Sequence, residues 1–162
     1  EVGSWDEWSS KLQTENPDSL ILLVHIEPEE KTTKYQVEIG HADFRGKNLI
    51  NKKMIQGAND QNHPFVMMIG CEAVNMDEFG FDLSSQLMNV GAAMVMSNFT
   101  KIRGRQAAPI VIKMLEFLKA NEGKEFTLGE IVLKLRQYLL AKGIMVGFSI
   151  TTFGDADWKI KI

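Results

Sequence analysis

The sequence contains a single cysteine, and it has no apolar run that approaches the length of a membrane-spanning helix. One cysteine cannot form an internal disulfide bond. The amino-terminal residues also lack the combination of basic residues and an apolar run that marks a secretory signal. We therefore expect a reducing, cytoplasmic location and no membrane partner.

The sequence also lacks an excess of either charge, since 18 basic and 21 acidic residues are well mixed and give a net charge of −3. This mixture leaves no basic patch for nucleic acid, so none is expected as a direct partner. A glycine-rich phosphate loop, a serine nucleophile elbow and a Cys/His set with zinc spacing are missing as well. We expect no cofactor and no metal ion, and we interpret Asp155 and Asp157 as capping residues of a helix or turn.

The length of 162 residues and the apolar fraction of 44% are sufficient for one domain with a hydrophobic core. We interpret residues 1–162 as a single domain. Because the chain begins with Glu-Val-Gly rather than with methionine, we expect it to be the carboxyl-terminal part of a larger protein.

An uninterrupted apolar run from Phe65 to Ile69 precedes Gly70 and Cys71. Such a run is typical of a strand that is buried on both faces of a parallel sheet. A second run, from Leu20 to Ile26, has the same character and carries His25 at its end. The carboxyl ends of parallel strands share one edge, which is where ligands bind in open α/β sheets. The two runs therefore predict that His25 and Cys71 lie at the same edge.

The rest of the sequence alternates between helical and strand patterns. Capping boxes at Ser4–Glu7 and Thr127–Glu130 predict the starts of two helices. A buried strand is predicted over residues 92–97, and a last strand over about residues 146–153. The first helix is predicted to pack Trp5, Trp8 and Leu12 into the core, and a later helix is predicted to end at Gly91. Tyr35, Val37 and Ile39 are predicted to belong to an accessory hairpin strand. One more helix is predicted to have Pro109 in its first turn, and its inward-facing residues are Ala107, Ile110, Val111, Met114, Leu115 and Leu118. This alternation predicts the α/β class with a mostly parallel sheet.

A cysteine and a histidine together permit acyl transfer. The thiolate is the nucleophile, and a nearby imidazole can take the thiol proton and later donate it to a leaving amine. Of the three histidines, His63 lies at the wrong end of the central strand and is the least suitable base. His25 is preferred, and His41, in a Gly-His-Ala turn, stays open as an alternative base. A lone cysteine can also be a small core residue, so the catalytic role of Cys71 is a hypothesis.

Five short segments match the pattern of a known family. They are Leu22–His25, Val66–Glu72, Gly91–Val95, Arg105–Pro109 and Phe153–Trp158. With these segments the sequence resembles, over about residues 18–160, the CHAT domain, a branch of the caspase-like cysteine peptidases that also includes separase.

The resemblance implies the bacterial type of caspase-like fold, a three-layer sandwich with a mostly parallel sheet, helices on both faces and an accessory hairpin. It implies a cysteine endopeptidase with Cys71 as the nucleophile and His25 as the general base. The backbone amides of Ile26 and Cys71 would form the oxyanion hole. The family usually has glycine at the position of Ile26, so the Gly40-His41 pair remains an alternative alignment.

Two other functions stay open beside the endopeptidase. One is a catalytically inactive caspase-like interaction domain, and the other is a small hydrolase or glutaminase-like acyl transferase with the same dyad. The expected partners are a protein or peptide substrate and an attached or separate sensor that orders the loop Glu72–Phe79. Several relatives have an acidic substrate pocket, for which Asp77, Glu78 and Asp82 are candidates.

Overall fold

The structure, a computed structural model, describes residues 2–28, 35–38, 55–56, 63–70, 83–100, 102 and 104–161. The helices in these ranges are α1 (Trp5–Glu15), α2 (Leu83–Asn89), α3 (Gly104–Ala120) and α4 (Leu128–Ala141), and a 3₁₀ helix (Met145–Ser149) follows α4. The strands are β1 (Ser19–Pro28), β2 (Tyr35–Glu38), β3 (Phe65–Gly70), β4 (Met94–Asn98), β5 (Glu125–Thr127), β6 (Ile150–Phe153) and β7 (Lys159–Lys161).

The main sheet has the strand order β2-β1-β3-β4-β6 across the described residues. β1, β3 and β4 run parallel, whereas β6 is antiparallel to β4 and β2 is antiparallel to β1. The predicted α/β class is therefore confirmed, and the sheet of β1, β3, β4 and β6 is mostly parallel as expected. β2 pairs with the last residues of β1, from His25 to Pro28, so it is an accessory strand at the edge of the sheet.

Side chains alternate between the two faces of this sheet, and each face packs against helices. One face contacts α3 and α4 through odd-numbered residues of β3 and even-numbered residues of β4 and β6, and the other contacts α1 and α2 through even-numbered residues of β1 and β3 and through Val95 of β4. The apolar cluster on the α3 and α4 side contains Phe65, Met67 and Ile69 of β3. The cluster on the α1 and α2 side contains Leu20 and Leu22 of β1 and Val66 and Met68 of β3. Burial on both faces explains why these strands are continuous apolar runs rather than alternating ones.

The first helix is set by local signals that the sequence shows. The Ser4 hydroxyl accepts a hydrogen bond from the Glu7 amide at 3.2 Å, as predicted for the capping box. The Glu7 carboxylate accepts from the Gly3 amide at 2.9 Å, one residue earlier than the box requires. Asn16, with a φ of 43°, ends the helix. Trp5 and Leu12 are buried against the sheet, which confirms their predicted role in core packing.

Two predictions for α3 are wrong. The helix begins at Gly104, so Pro109 lies in its second turn rather than its first, at a position where an N–H would otherwise donate to the preceding turn. Leu115 was predicted to face inward, but its side chain is 44% exposed. Phe117 is buried in its place and packs on the Tyr138 ring with 5.8 Å between the centroids.

The carboxyl-terminal region differs most from the prediction. The capping box of α4 is complete, with Thr127 and Glu130 bonded to each other's backbone amides. The strand expected over residues 146–153 is shorter, because its first half forms the 3₁₀ helix and only β6 pairs with β4. β5 and β7 form a separate antiparallel pair that the sequence pattern did not predict.

The turn before β7 is closed by Asp155, whose carboxylate accepts a hydrogen bond from the Asp157 amide at 3.0 Å. This bond supports the interpretation of these residues as turn-capping residues. Within the described ranges, no three His, Cys, Asp or Glu side chains come close enough together to hold a metal ion. In the same ranges, every helix is too short or too polar to cross a membrane.

Candidate functional site

The edge predicted to carry the catalytic dyad is formed by the carboxyl ends of β1 and β3. These strands pair in parallel, and the last register pair is Val24 with Gly70. His25 and Cys71 are the next residues of the two strand sequences. β1 does not end near His25 as predicted, because it continues to Pro28 and pairs with β2 beyond the end of β3.

Several predicted site residues lie outside the described residues. They include Cys71, His41 and the loop Glu72–Phe79, together with Asp82. The backbone of His25 is described, and it pairs with Glu38 of β2, but its side chain is not. The backbone of Ile26 pairs with Val37, so the residue that follows His25 lies in a regular strand.

The third histidine, His63, lies before β3 at the opposite edge of the sheet. Its Nδ1 is 2.8 Å from the carbonyl oxygen of Gly91, at the end of α2. A carbonyl oxygen only accepts hydrogen bonds, so Nδ1 carries the proton and donates. Gly91 has a φ of 112°, and a Cβ there would lie 2.5 Å from Nε2 of Gln56. His63 therefore joins the start of β3 to a tight turn that requires glycine.

A cavity of about 660 Å³ lies at the carboxyl end of β4, and we call it the β4 cavity. Its walls come from the loop after β4, with Phe99 and Thr100, from Pro109 and Ile110 in α3, and from the segment 143–149 around the 3₁₀ helix. The volume is in the range of ordinary ligand pockets. The cavity opens at the same edge of the sheet as the ends of β1 and β3, because β4 runs parallel to both.

The 3₁₀-helix wall of the β4 cavity is held by backbone contacts. The Gly147 position approaches α4 so closely that a Cβ would lie 3.2 Å from Cβ of Leu139 and 3.3 Å from the carbonyl oxygen of Arg136. The Arg136 guanidinium donates from Nε to the carbonyl oxygen of Ile150 at 3.0 Å, which holds the start of β6 against α4. The Ser149 hydroxyl donates to the carbonyl oxygen of Val146 at 2.8 Å. In this wall, Met145 and Phe148 are exposed, whereas Ile144 and Val146 pack against the core.

The side chains around the β4 cavity are large, apolar and unusually exposed. Phe99 is 45% exposed, Met145 68% and Phe148 62%. Sequence reasoning missed this feature because it assigned residues 146–153 to a strand. One signal in the sequence argued against a strand here, namely that Gly143 and Gly147 stand among apolar residues that do not alternate with polar ones.

Three groups with shifted pKa values, Lys113, Glu116 and Tyr138, lie on the outer surface of α3 and α4. The Lys113 ammonium donates to Glu116 at 2.7 Å, and the Tyr138 hydroxyl donates to the same carboxylate at 3.1 Å. The bond from Lys113, and then that from Tyr138, lowers the pKa of Glu116. Partial burial of the ring, and then the bond to Glu116, raises the pKa of Tyr138. This network bridges the two helices and takes no part in either candidate site.

Comparison with known proteins gives no family for this chain. No model of a protein family matches the sequence, and no curated protein matches it. The resemblance to CHAT domains therefore rests on the five short sequence segments alone. A function has to be inferred from the order and register of the described strands.

Proposed function

We propose that the protein is a cysteine endopeptidase with Cys71 as the nucleophile and His25 as the general base. The observation that carries this proposal is the parallel register of Val24 with Gly70, the two residues that immediately precede the dyad. The finer, caspase-like form of the α/β fold and the cytoplasmic, bacterial setting belong to the same proposal.

The register supports the proposal through simple strand geometry. Residues opposite each other on parallel strands share one face, and neighbouring strands are about 4.8 Å apart. If the same register held for one more residue, His25 and Cys71 would be cross-strand neighbours. An imidazole and a thiol at that separation can reach hydrogen-bonding distance, which a general base requires.

The proposed reaction has two halves. His25 takes the thiol proton, and the Cys71 thiolate attacks the carbonyl carbon of the scissile peptide bond. The backbone amides of Ile26 and Cys71 donate to the oxyanion, and the intermediate collapses with loss of the amine, which leaves with the proton from His25. Water, deprotonated by His25, then attacks the thioester. The acid product leaves, and the Cys71 sulfur recovers its proton.

Covalent labelling tests this proposal. A peptidyl chloromethyl ketone should alkylate Cys71 with loss of chloride, and mass spectrometry of the digested protein should locate the adduct on that residue. Replacing His25 with alanine should slow labelling by about 10²–10⁴-fold, the usual contribution of a general base. Replacing His41 should have a small effect. If the two histidine variants exchange behaviour, the base is His41.

One observation favours a second candidate, a catalytically inactive interaction domain. Ile26 lies in a regular strand, paired with Val37, whereas the resembling family usually has glycine after the histidine. A folded wild-type chain whose Cys71 reacts with the chloromethyl ketone no faster than a small free thiol would favour this second function.

We also propose that a protein partner or an attached sensor regulates the site. The sequence of the loop Glu72–Phe79 lacks a periodic apolar pattern that would anchor it. An arrangement that is competent only part of the time lowers the apparent activity by that fraction. Peptide cleavage by this chain should therefore rise when the rest of its parent protein and that protein's ligand are present.

A further inference from the structure

The β4 cavity begins at the same level of the sheet as the residue before Cys71. The ladder between β3 and β4 ends at the pair of Met67 with Met96. Gly70 and Phe99 each lie three residues beyond that pair. The mouth of the cavity therefore lies at the end of β4, the strand next to the one that ends at Gly70.

The cavity also lies on the face of the sheet that packs against α3 and α4. Ile110 lines the cavity and packs in the cluster that holds the odd-numbered residues Met67 and Ile69 of β3. In the sequence, Cys71 follows Ile69 by two residues. A polypeptide that crosses this edge on the α3 and α4 side would pass the cavity.

The walls of the cavity select for apolar groups. None of the described residues that line it carries a charge, and the Ser149 hydroxyl already donates to Val146. A polar side chain placed there would lose part of its hydration and would find only the Thr100 and Ser149 hydroxyls as side-chain partners among the described lining residues. An apolar side chain would cover the exposed parts of Phe99, Met145 and Phe148 and would itself leave water.

We infer that the β4 cavity is a specificity subsite that binds an apolar side chain of the polypeptide acted on at the carboxyl edge. This inference rests on the proposed endopeptidase function and adds the class of substrate. A substrate with phenylalanine at the position that enters the cavity should have a kcat/KM about 10- to 100-fold higher than one with serine there.

Cleavage of matched peptides provides the first test. Peptides that differ only by phenylalanine or serine, with the variable position moved along both sides of the scissile bond, identify the position that enters the cavity. Phe148→Ser should reduce the preference for phenylalanine at that position about tenfold. Leu133→Ser is the matched control, because Leu133 is a 57% exposed apolar residue of α4 that does not line the cavity. The control should retain the wild-type preference.

A second test needs no catalysis. In the Cys71→Ala chain, with ¹³C-labelled methionine methyl groups, the Met145 signal reports on the cavity and the buried Met68 signal serves as the internal reference. N-acetylphenylalaninamide should shift the Met145 signal in a saturable way and leave Met68 unchanged, whereas N-acetylserinamide should shift neither. Adding Phe148→Ser should weaken the effect.

The two tests separate failure of the subsite from failure of the proposed function. A preference for phenylalanine that Phe148→Ser leaves unchanged would overturn the subsite, while cleavage and Cys71 labelling would still support the peptidase. A saturable shift of Met145 in the Cys71→Ala chain, together with a wild-type chain that neither cleaves peptides nor labels at Cys71, would overturn the peptidase and keep the cavity as a site for apolar side chains. Equal shifts with the two amides would overturn the subsite.

Discussion

The amide of Phe99 donates a hydrogen bond to the carbonyl oxygen of Ser149 at 3.0 Å. This bond connects the loop after β4 to the end of the 3₁₀ helix, which are two of the three walls of the β4 cavity. It continues the antiparallel pairing of β4 with β6 by one step beyond Asn98 and Ile150. The cavity is therefore built on the sheet rather than on independent loops, and a preformed cavity loses less free energy to ordering when it binds.

Gly147→Ala should destabilise the protein. The added Cβ would press on the carbonyl oxygen of Arg136, which belongs to the backbone of α4, so the 3₁₀ helix would have to move away. Overpacking of this kind costs about 1–3 kcal/mol. Urea unfolding followed by circular dichroism measures the loss, which corresponds to a fall in Tm of about 2–4 °C for each kcal/mol at this chain length.

The control for this variant is the same substitution at Gly129, in the first turn of α4. There a Cβ would meet the carbonyl oxygen of Ala156 at 3.6 Å, an ordinary contact. Alanine should raise the free energy of unfolding by up to about 1 kcal/mol, because it favours the helix more than glycine does. Equal effects of the two substitutions would contradict the close packing at Gly147.

Thr127→Ala should remove the capping box of α4. The Thr127 hydroxyl accepts from the Glu130 amide at 3.2 Å, and the Glu130 carboxylate accepts from the Thr127 amide at 2.9 Å. Loss of such a cap costs about 0.5–2 kcal/mol. Thr14→Ala is a matched control, since that exposed hydroxyl bonds only to carbonyls within its own helix and should change stability by less than about 0.5 kcal/mol. Denaturant titration of both variants distinguishes a cap from a surface threonine.

The elements that sequence reasoning predicted well are those with local causes. α1 and α4 begin at capping boxes that are visible as four-residue motifs, and β3 is a continuous apolar run between a proline and a glycine. The segment 146–153 was predicted wrongly because the close approach of Gly147 to α4 is a tertiary contact. β5 and β7 are three residues each, too short to show a period.

Part of the candidate site could also be predicted from the sequence, and part of it could not. The parallel pairing of β1 with β3, and with it the edge where His25 follows, could be deduced from two apolar runs. The β4 cavity could not, since Phe99, Ile110 and Phe148 come from separate segments and meet only in the folded chain. Apolar residues in such segments look like core residues until their exposure is known.

Cys71→Ala should abolish peptide cleavage and leave the free energy of unfolding within about 0.5 kcal/mol of the wild type, as expected for a nucleophile at a sheet edge. A cysteine with a purely structural role would behave in the opposite way, with lost stability and unchanged cleavage. His63→Ala is the control, because its bond to the Gly91 carbonyl contributes to folding. That variant should lose about 0.5–1.5 kcal/mol of stability and keep its cleavage rate per folded molecule.

The titration of Tyr138 should report its hydrogen bond to Glu116. The usual pKa of 10.0 is raised in the folded protein, so the neutral hydroxyl adds stability that is fully present below pH 10 and is lost as the pH rises through the folded value. Glu116→Gln keeps an acceptor but removes the charge, so the pKa should fall yet stay above 10.0, because partial burial of the ring remains. With Tyr35 replaced by phenylalanine, Tyr138 is the only tyrosine, and its phenolate absorbance gives the pKa directly. Glu122→Gln, on the exposed turn after α3, is the control and should leave the pKa of Tyr138 unchanged. If Tyr138 has the wild-type pKa in Glu116→Gln as well, the bond to Glu116 does not form in solution.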